Sequence, residues 1–168
     1  IFPEFHEAEG WSGTRFSYST PSNPNNTYTA NFNTENIYSS GKNVEIKLAV
    51  MGASNDTYSP DHDLQINYKD KSGNYIPIDH AVFDGYFLFD SSYTFDASTF
   101  GSSTDIVVSA QKGNFSVSGN TVPYIVMKFP HNLNLENKNQ YEMYVPDNAS
   151  QSKSFYTFTG FNGSNEAY

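Results

Sequence analysis

From residue 44 onward, apolar side chains recur at every second position. VEIKLAV at 44–50 sets Val44, Ile46, Leu48 and Val50 on one face and Glu45, Lys47 and Ala49 on the other. This is the period of a strand with one face in a core and one toward water. LQINYK at 64–69 repeats the pattern with Leu64, Ile66 and Tyr68, and Asp70-Lys71-Ser72-Gly73-Asn74 reads as a hairpin connection into YIPI at 75–78. Pro77 has no N–H to give a ladder, which places its strand at a sheet edge or a bulge.

Residues 83–100, FDGYFLFDSSYTFDASTF, consist of three six-residue units that each begin Phe-Asp. Asp90-Ser91-Ser92 has turn composition, so VFDGYFLF at 82–89 reads as a central strand, apolar on both faces, and YTFDASTF at 93–100 as a more polar neighbour. Next, TDIVVSAQ, FSVSG and TVPYIVMKF, divided by turns at Lys112-Gly113-Asn114 and Gly119-Asn120, read as a three-stranded meander. HNLNLENKNQ at 131–140 suits one helical turn or a long loop, and YEMYV at 141–145 and SFYTFTGF at 154–161 alternate again. The first 43 residues are the least regular, with short strands over Arg15 to Tyr18 and around Tyr28, Ala30 and Phe32.

Roughly nine to eleven short strands with turn signals every 8–12 residues predict an all-β fold. The expected architecture is a two-sheet antiparallel β-sandwich of immunoglobulin-like or jelly-roll type, with a closed β-barrel as the alternative. No linker signal interrupts the chain. A single domain over 1–168 is expected, with an irregular arm at 1–14 and a short tail at 162–168.

Composition agrees with the pattern. Thirteen Tyr and 14 Phe favour pleated, half-buried surfaces, and a chain of 168 residues buries a core that needs no staple, as it must with no cysteine. The chain begins at Ile1 and has no apolar run long enough to span a bilayer, which suits a mature chain or an excised domain of an exported parent.

Charge narrows the partners. The net charge is −9, and the stretch from Asp56 to Asp105 holds nine Asp against only Lys69 and Lys71. Nucleic acid and anionic lipid require a basic patch, which the scattered lysines and the single Arg15 do not supply. Expected partners are therefore a glycan or a surface protein, with no nucleic acid, no membrane insertion, and self-association as an open course.

No catalytic motif stands out. GAS at 52–54 lacks the second glycine of a nucleophile elbow, and His6, His62, His80 and His131 lie apart without zinc spacing. Glu4, Glu7 and Glu9 with His6 offer an acid and base for glycoside hydrolysis but read better as a solvated acidic arm. A non-enzyme is expected.

Two sets of residues are candidate binders. Asp56, Asp61 and Asp63 place three hard oxygen donors in one loop, the chemistry of Ca2+, although the spacing is not that of an EF-hand and aspartates also serve as turn formers. Trp11 and the tyrosines Tyr58 and Tyr93 can stack on sugar C–H faces, and Asp90 at its expected turn can bond a hydroxyl. Low Arg, absent Cys, abundant Asn, Thr, Ser and Tyr, and the strand-turn-strand YKDKSGNYI resemble the immunoglobulin-like β-sandwich modules of Gram-positive cell-surface and secreted proteins. That resemblance implies an extracellular or cell-surface module and carries over no functional residue. The leading reading is a module for adhesion to a glycan or a cell-wall or host surface ligand. A structural assembly subunit (surface-layer, fibre or virion) and a secreted hydrolase with an acidic cleft are the alternatives.

Overall fold

A computed structural model of the chain describes residues 13–18, 25–145, 150–151, 153 and 155–162. Two compact units, 1–130 and 131–168, make up the fold. The first is a β-sandwich built from β1 (Phe16–Tyr18), β2 (Thr27–Asn33), β3 (Val44–Gly52), β4 (His62–Lys69), β5 (Tyr75–Phe83), β6 (Leu88–Phe95), β7 (Ser103–Ala110) and β8 (Ser118–Lys128). The second contains β9 (Asn134–Lys138) and β10 (Thr159–Phe161), which pair in parallel. Among the described residues there is no α-helix, only a single 3-10 turn at Ala97–Thr99 capped by the Asp96 side chain on the Ser98 N–H, and no helix long and apolar enough to cross a membrane.

Strand order distinguishes the two sandwich types left open by the sequence. Sheet I runs β1-β8-β3-β6 and sheet II runs β2-β7-β4-β5. The antiparallel pairs β4·β5, β3·β6, β2·β7 and β1·β8 are nested one outside the next. One long hairpin bent at β4–β5 and rolled onto itself gives this order, which is the jelly roll.

The core lies between the sheets, where the alternating apolar residues point. Val44, Ile46, Leu48 and Val50 of β3 meet Leu64 and Ile66 of β4 and Ile106 and Val108 of β7, all fully buried. Each such side chain contributes about 1.5–3 kcal/mol on leaving water. Tyr68 extends this layer to Phe95 and Phe100, with ring centroids 4.9 and 5.0 Å away.

Several local expectations need correction. Asp90-Ser91-Ser92 does not turn. Those residues pair with Ala49, Leu48 and Lys47 in the middle of β6, and the chain reverses earlier, where Gly85 adopts φ 62°. Ladder pairing with the central strand β3 outweighs the turn preference of an Asp-Ser-Ser triplet. Gly119-Asn120 is likewise no turn but the interior of β8. There the Arg15 guanidinium crosses so close to Gly119 that a Cβ would stand 2.2 Å from it. The expected meander is also absent, because β7 and β8 belong to different sheets. In the second unit, a strand replaces the helical turn or loop at 131–140, 141–145 forms no strand, and of the described residues in 154–161 only Thr159–Phe161 do. Pro77 sits where β5 is an edge strand and the β4·β5 register shifts, as its missing donor requires.

Candidate functional site

A second register shift shapes the outer face of sheet I. Ala49 pairs with Tyr124 and Met51 with Thr121, so Val122 and Pro123 together oppose the single residue Val50. Pro123 is tolerated inside β8 because it is the extra residue of this bulge. Val122 before the bulge and Ile125, Met127 and Phe129 after it pack on the core. The bulge thus restores the alternation in a phase that turns Tyr124, Val126 and Lys128 outward.

Tyr124 does not stand free on that face. Ala49 lies between Tyr124 of β8 and Asp90 of β6 in one row across three strands, and the Tyr124 hydroxyl donates to the Asp90 carboxylate at 2.9 Å. The phenol therefore spans Ala49, which is fully buried although it occupies an outward position. Lys47 holds its ammonium 5.3 Å from the Tyr124 ring centroid. Burial first, and then the hydrogen bond to Asp90, raise the Tyr124 phenol above its ordinary value. An amphipathic ring, a carboxylate and an ammonium side by side on the outer face of a sheet can together stack on a C–H face and exchange hydrogen bonds with hydroxyls. Displacing the lysine from the ring costs about 0.5–1 kcal/mol, the strength of an exposed cation–π contact.

Of the residues singled out from sequence, Asp90 belongs to this site, in mid-strand rather than at a turn. Tyr93 does not. Three positions further on, it points inward, and its hydroxyl donates to Asp79 at 2.7 Å. Burial, with the Asp79 carboxylate adding to it, pushes its pKa up to about 12. Tyr58 is exposed in the loop before β4, and no contact joins it to Asp90 or Tyr93 among the described residues. Trp11 lies outside the described residues. Sequence reasoning missed Tyr124 and Lys47, although Pro123 inside an alternating run was the visible sign that the phase changes there.

The three aspartates expected in one loop take separate roles, and Asp63 lies within β4. Asp61 is fully buried and accepts from the N–H groups of Gly85 and Asp56, each at 2.7 Å. Asp56 accepts from the Tyr58 and Ser116 N–H groups, which in that order hold its carboxyl below the ordinary value. Asp63 pairs with His80 at 2.7 Å. Among the described residues, no three His, Asp or Glu side chains converge to hold a metal ion.

One cluster mimics catalytic machinery. Ser118 Oγ lies 3.2 Å from His62 Nδ1, and His62 Nε2 lies 3.4 Å from Asp61 Oδ1. All three residues are fully buried, and Asn120 is closer to His62 Nδ1 than the serine is, at 2.9 Å. With Asn120 donating back to Ser118, and Ser54 accepting from the Gly119 N–H, this is a buried, hydrogen-bonded polar network joining β4 to β8.

No family profile matches the chain, and no curated protein matches it. Solved structures do. A carbohydrate-binding module CBM61 in complex with beta-1,4-galactotriose is 8% identical with a TM-score of 0.43, the match covering 61% of each chain. The chain thus spans less than two thirds of that structure. A non-crystalline-cellulose-specific module, CBM28, is 11% identical with a TM-score of 0.46, over 74% of this chain and 78% of its own. A module CBM36 in complex with calcium and xylotriose is 7% identical with a TM-score of 0.37, over 72% and 95%. At such scores none of the three lends a role to any residue of this chain.

Proposed function

We propose that the protein is a non-catalytic jelly-roll module of an extracellular or cell-surface protein that binds glycan on the outer face of sheet I. The observation that supports this most is the Tyr124 ring spanning Ala49 between Asp90 and Lys47. Tyr124 serves as the stacking surface, and Asp90 and Lys47 bond hydroxyls of the sugar. Affinity gel electrophoresis in soluble polysaccharides, comparing the protein with Tyr124→Ala, tests it. Retardation in at least one polysaccharide that is weakened in the variant is the expected result. Retardation unchanged by Tyr124→Ala overturns the assignment of the face.

Self-assembly is the second reading, favoured by Tyr144 and Phe155, which are 90% and 91% exposed in the unit 131–168. A ring left this exposed gains apolar burial when a second copy covers it. Light scattering of Phe155→Ser against the unchanged chain decides it, since assembly through this residue makes particle mass fall in the variant.

A further inference from the structure

On the outer face of sheet II the two carboxylates, Asp105 and Asp63, are engaged by neighbouring side chains. Three rows cross the four strands. Asn31 lies level with Asp105, and Lys69, next to Tyr68 opposite Ile106, lies level with both and opposite Tyr75. The next row is Thr29, Val107, Asn67 and Pro77, and the third is Thr27, Ser109, Gln65 and His80. Asp105 accepts from the Asn31 amide at 2.5 Å, with the Lys69 ammonium and the Tyr75 hydroxyl each at 3.5 Å. Asp63 Oδ1 lies 2.7 Å from His80 Nε2.

What the face offers outward is amide and hydroxyl groups at the regular spacings of a sheet, about 4.8 Å across strands and about 7 Å along them. Asn67, at the centre, makes no side-chain hydrogen bond among the described residues. At the β5 edge, the half-exposed Tyr75 ring and the exposed Pro77 supply the apolar surface.

We infer that the outer face of sheet II is a second binding surface, taking a neutral polysaccharide chain laid across the four strands. With Asp105 contacted by Asn31, Lys69 and Tyr75 and Asp63 by His80, both carboxylates of the face are engaged, and an uncharged occupant suits it because a charged one would have to break these contacts. A protein partner suits it less, because protein interfaces are centred on buried aromatic, Met and Arg side chains, and the centre of this face carries Asn67, Val107 and Ser109. Three inter-strand spacings, about 14 Å, accommodate several consecutive sugars. Tyr75 and Pro77 underlie the C–H faces, and Asn67, Asn31 and Thr29 exchange hydrogen bonds with the hydroxyls, while the Gln65 amide N–H groups stay on the Ile66 and Asp79 carbonyls. The further consequence, that the module bridges two chains, rests on the Tyr124 reading, while the site itself does not.

The probes are four soluble neutral polysaccharides: galactan, xylan, mannan and hydroxyethyl cellulose. Affinity electrophoresis compares the unchanged protein, Tyr124→Ala, and the double variant Asn67→Ala with Tyr75→Ala, with melting curves to confirm that each is folded. Asn67→Ser with Tyr75→Ser replaces the double variant if that does not fold. The double variant is expected to lose affinity about tenfold for at least one probe, ~1.4 kcal/mol, while Tyr124→Ala keeps the sheet II component. The unchanged protein raises the viscosity of that probe, and either variant abolishes the rise. A folded double variant that binds every probe within twofold of the unchanged protein overturns the second surface and leaves the Tyr124 reading standing. Loss in the double variant alone, with Tyr124→Ala inert, overturns the sheet I reading instead. No retardation of the unchanged protein in any probe overturns both.

Discussion

The Tyr93 hydroxyl on β6 of sheet I donates to the Asp79 carboxylate on β5 of sheet II at 2.7 Å, closing one open edge of the sandwich with a hydrogen bond between the sheets. Tyr93→Phe keeps the ring in the core layer and removes this bond, for an expected loss of about 1 kcal/mol. Equilibrium urea unfolding at neutral pH measures it.

Tyr93 also predicts the alkaline limit. Its phenol, raised from the ordinary 10.0 to about 12, stays neutral in the fold after unfolded phenols begin to ionise. Its contribution is complete below pH 10 and is lost as pH rises from there through about 12. Thermal melts across this window should fall less steeply for Tyr93→Phe than for the unchanged chain. Parallel curves would show that the shift is absent.

Graded replacement of Tyr124 separates ring from hydroxyl. Tyr124→Phe keeps the stacking surface and frees Asp90, so glycan affinity should fall by about tenfold or less. Tyr124→Ala should fall further, with melting changed by only a few degrees because the residue is on the outer face. Equal losses in the two variants would assign the binding to the hydroxyl alone.

Deletion of Pro123 removes the extra residue that the bulge accommodates. Thr121, Val122, Tyr124 and Ile125 then alternate without interruption, with Tyr124 still outward, and the shortened chain should fold and bind. Circular dichroism and affinity electrophoresis check this, and a deletion variant that does not fold contradicts the two-against-one pairing.

His62→Leu leaves the buried Asn120 Oδ1 without its partner. The expected cost is about 2–3 kcal/mol, a fall in melting temperature of roughly 5–10 °C, with glycan affinity unchanged. Turnover of an ester or glycoside substrate that vanishes in Ser118→Ala would show that the cluster is catalytic after all.

A strand whose partners are fixed by local alternation can be read from sequence, and β3, β4 and β7 were. Pro77 disclosed an edge and a bulge because its missing donor acts wherever it stands. The choice between immunoglobulin-like and jelly-roll order was not legible, since it depends on pairings such as Phe16 with Asn120 that no local pattern encodes. Asp90 was singled out as a turn residue but lies in mid-strand, because the pairing of β6 with β3 is equally non-local. Asp61 read as a loop cation ligand and His62 carried no spacing signal, and only the packing of β8 over them reveals a buried network.

The rolled hairpin also governs when the domain can form during synthesis. β8 separates β1 from β3, and β7 separates β2 from β4. Until the ribosome has released Lys128, β1 has no neighbour in its sheet, and until it has released Ala110 the same is true of β2. Both sheets are therefore completed last at their centres, and a nascent chain halted anywhere before the end of β8 displays unpaired strand edges to whatever lies nearby.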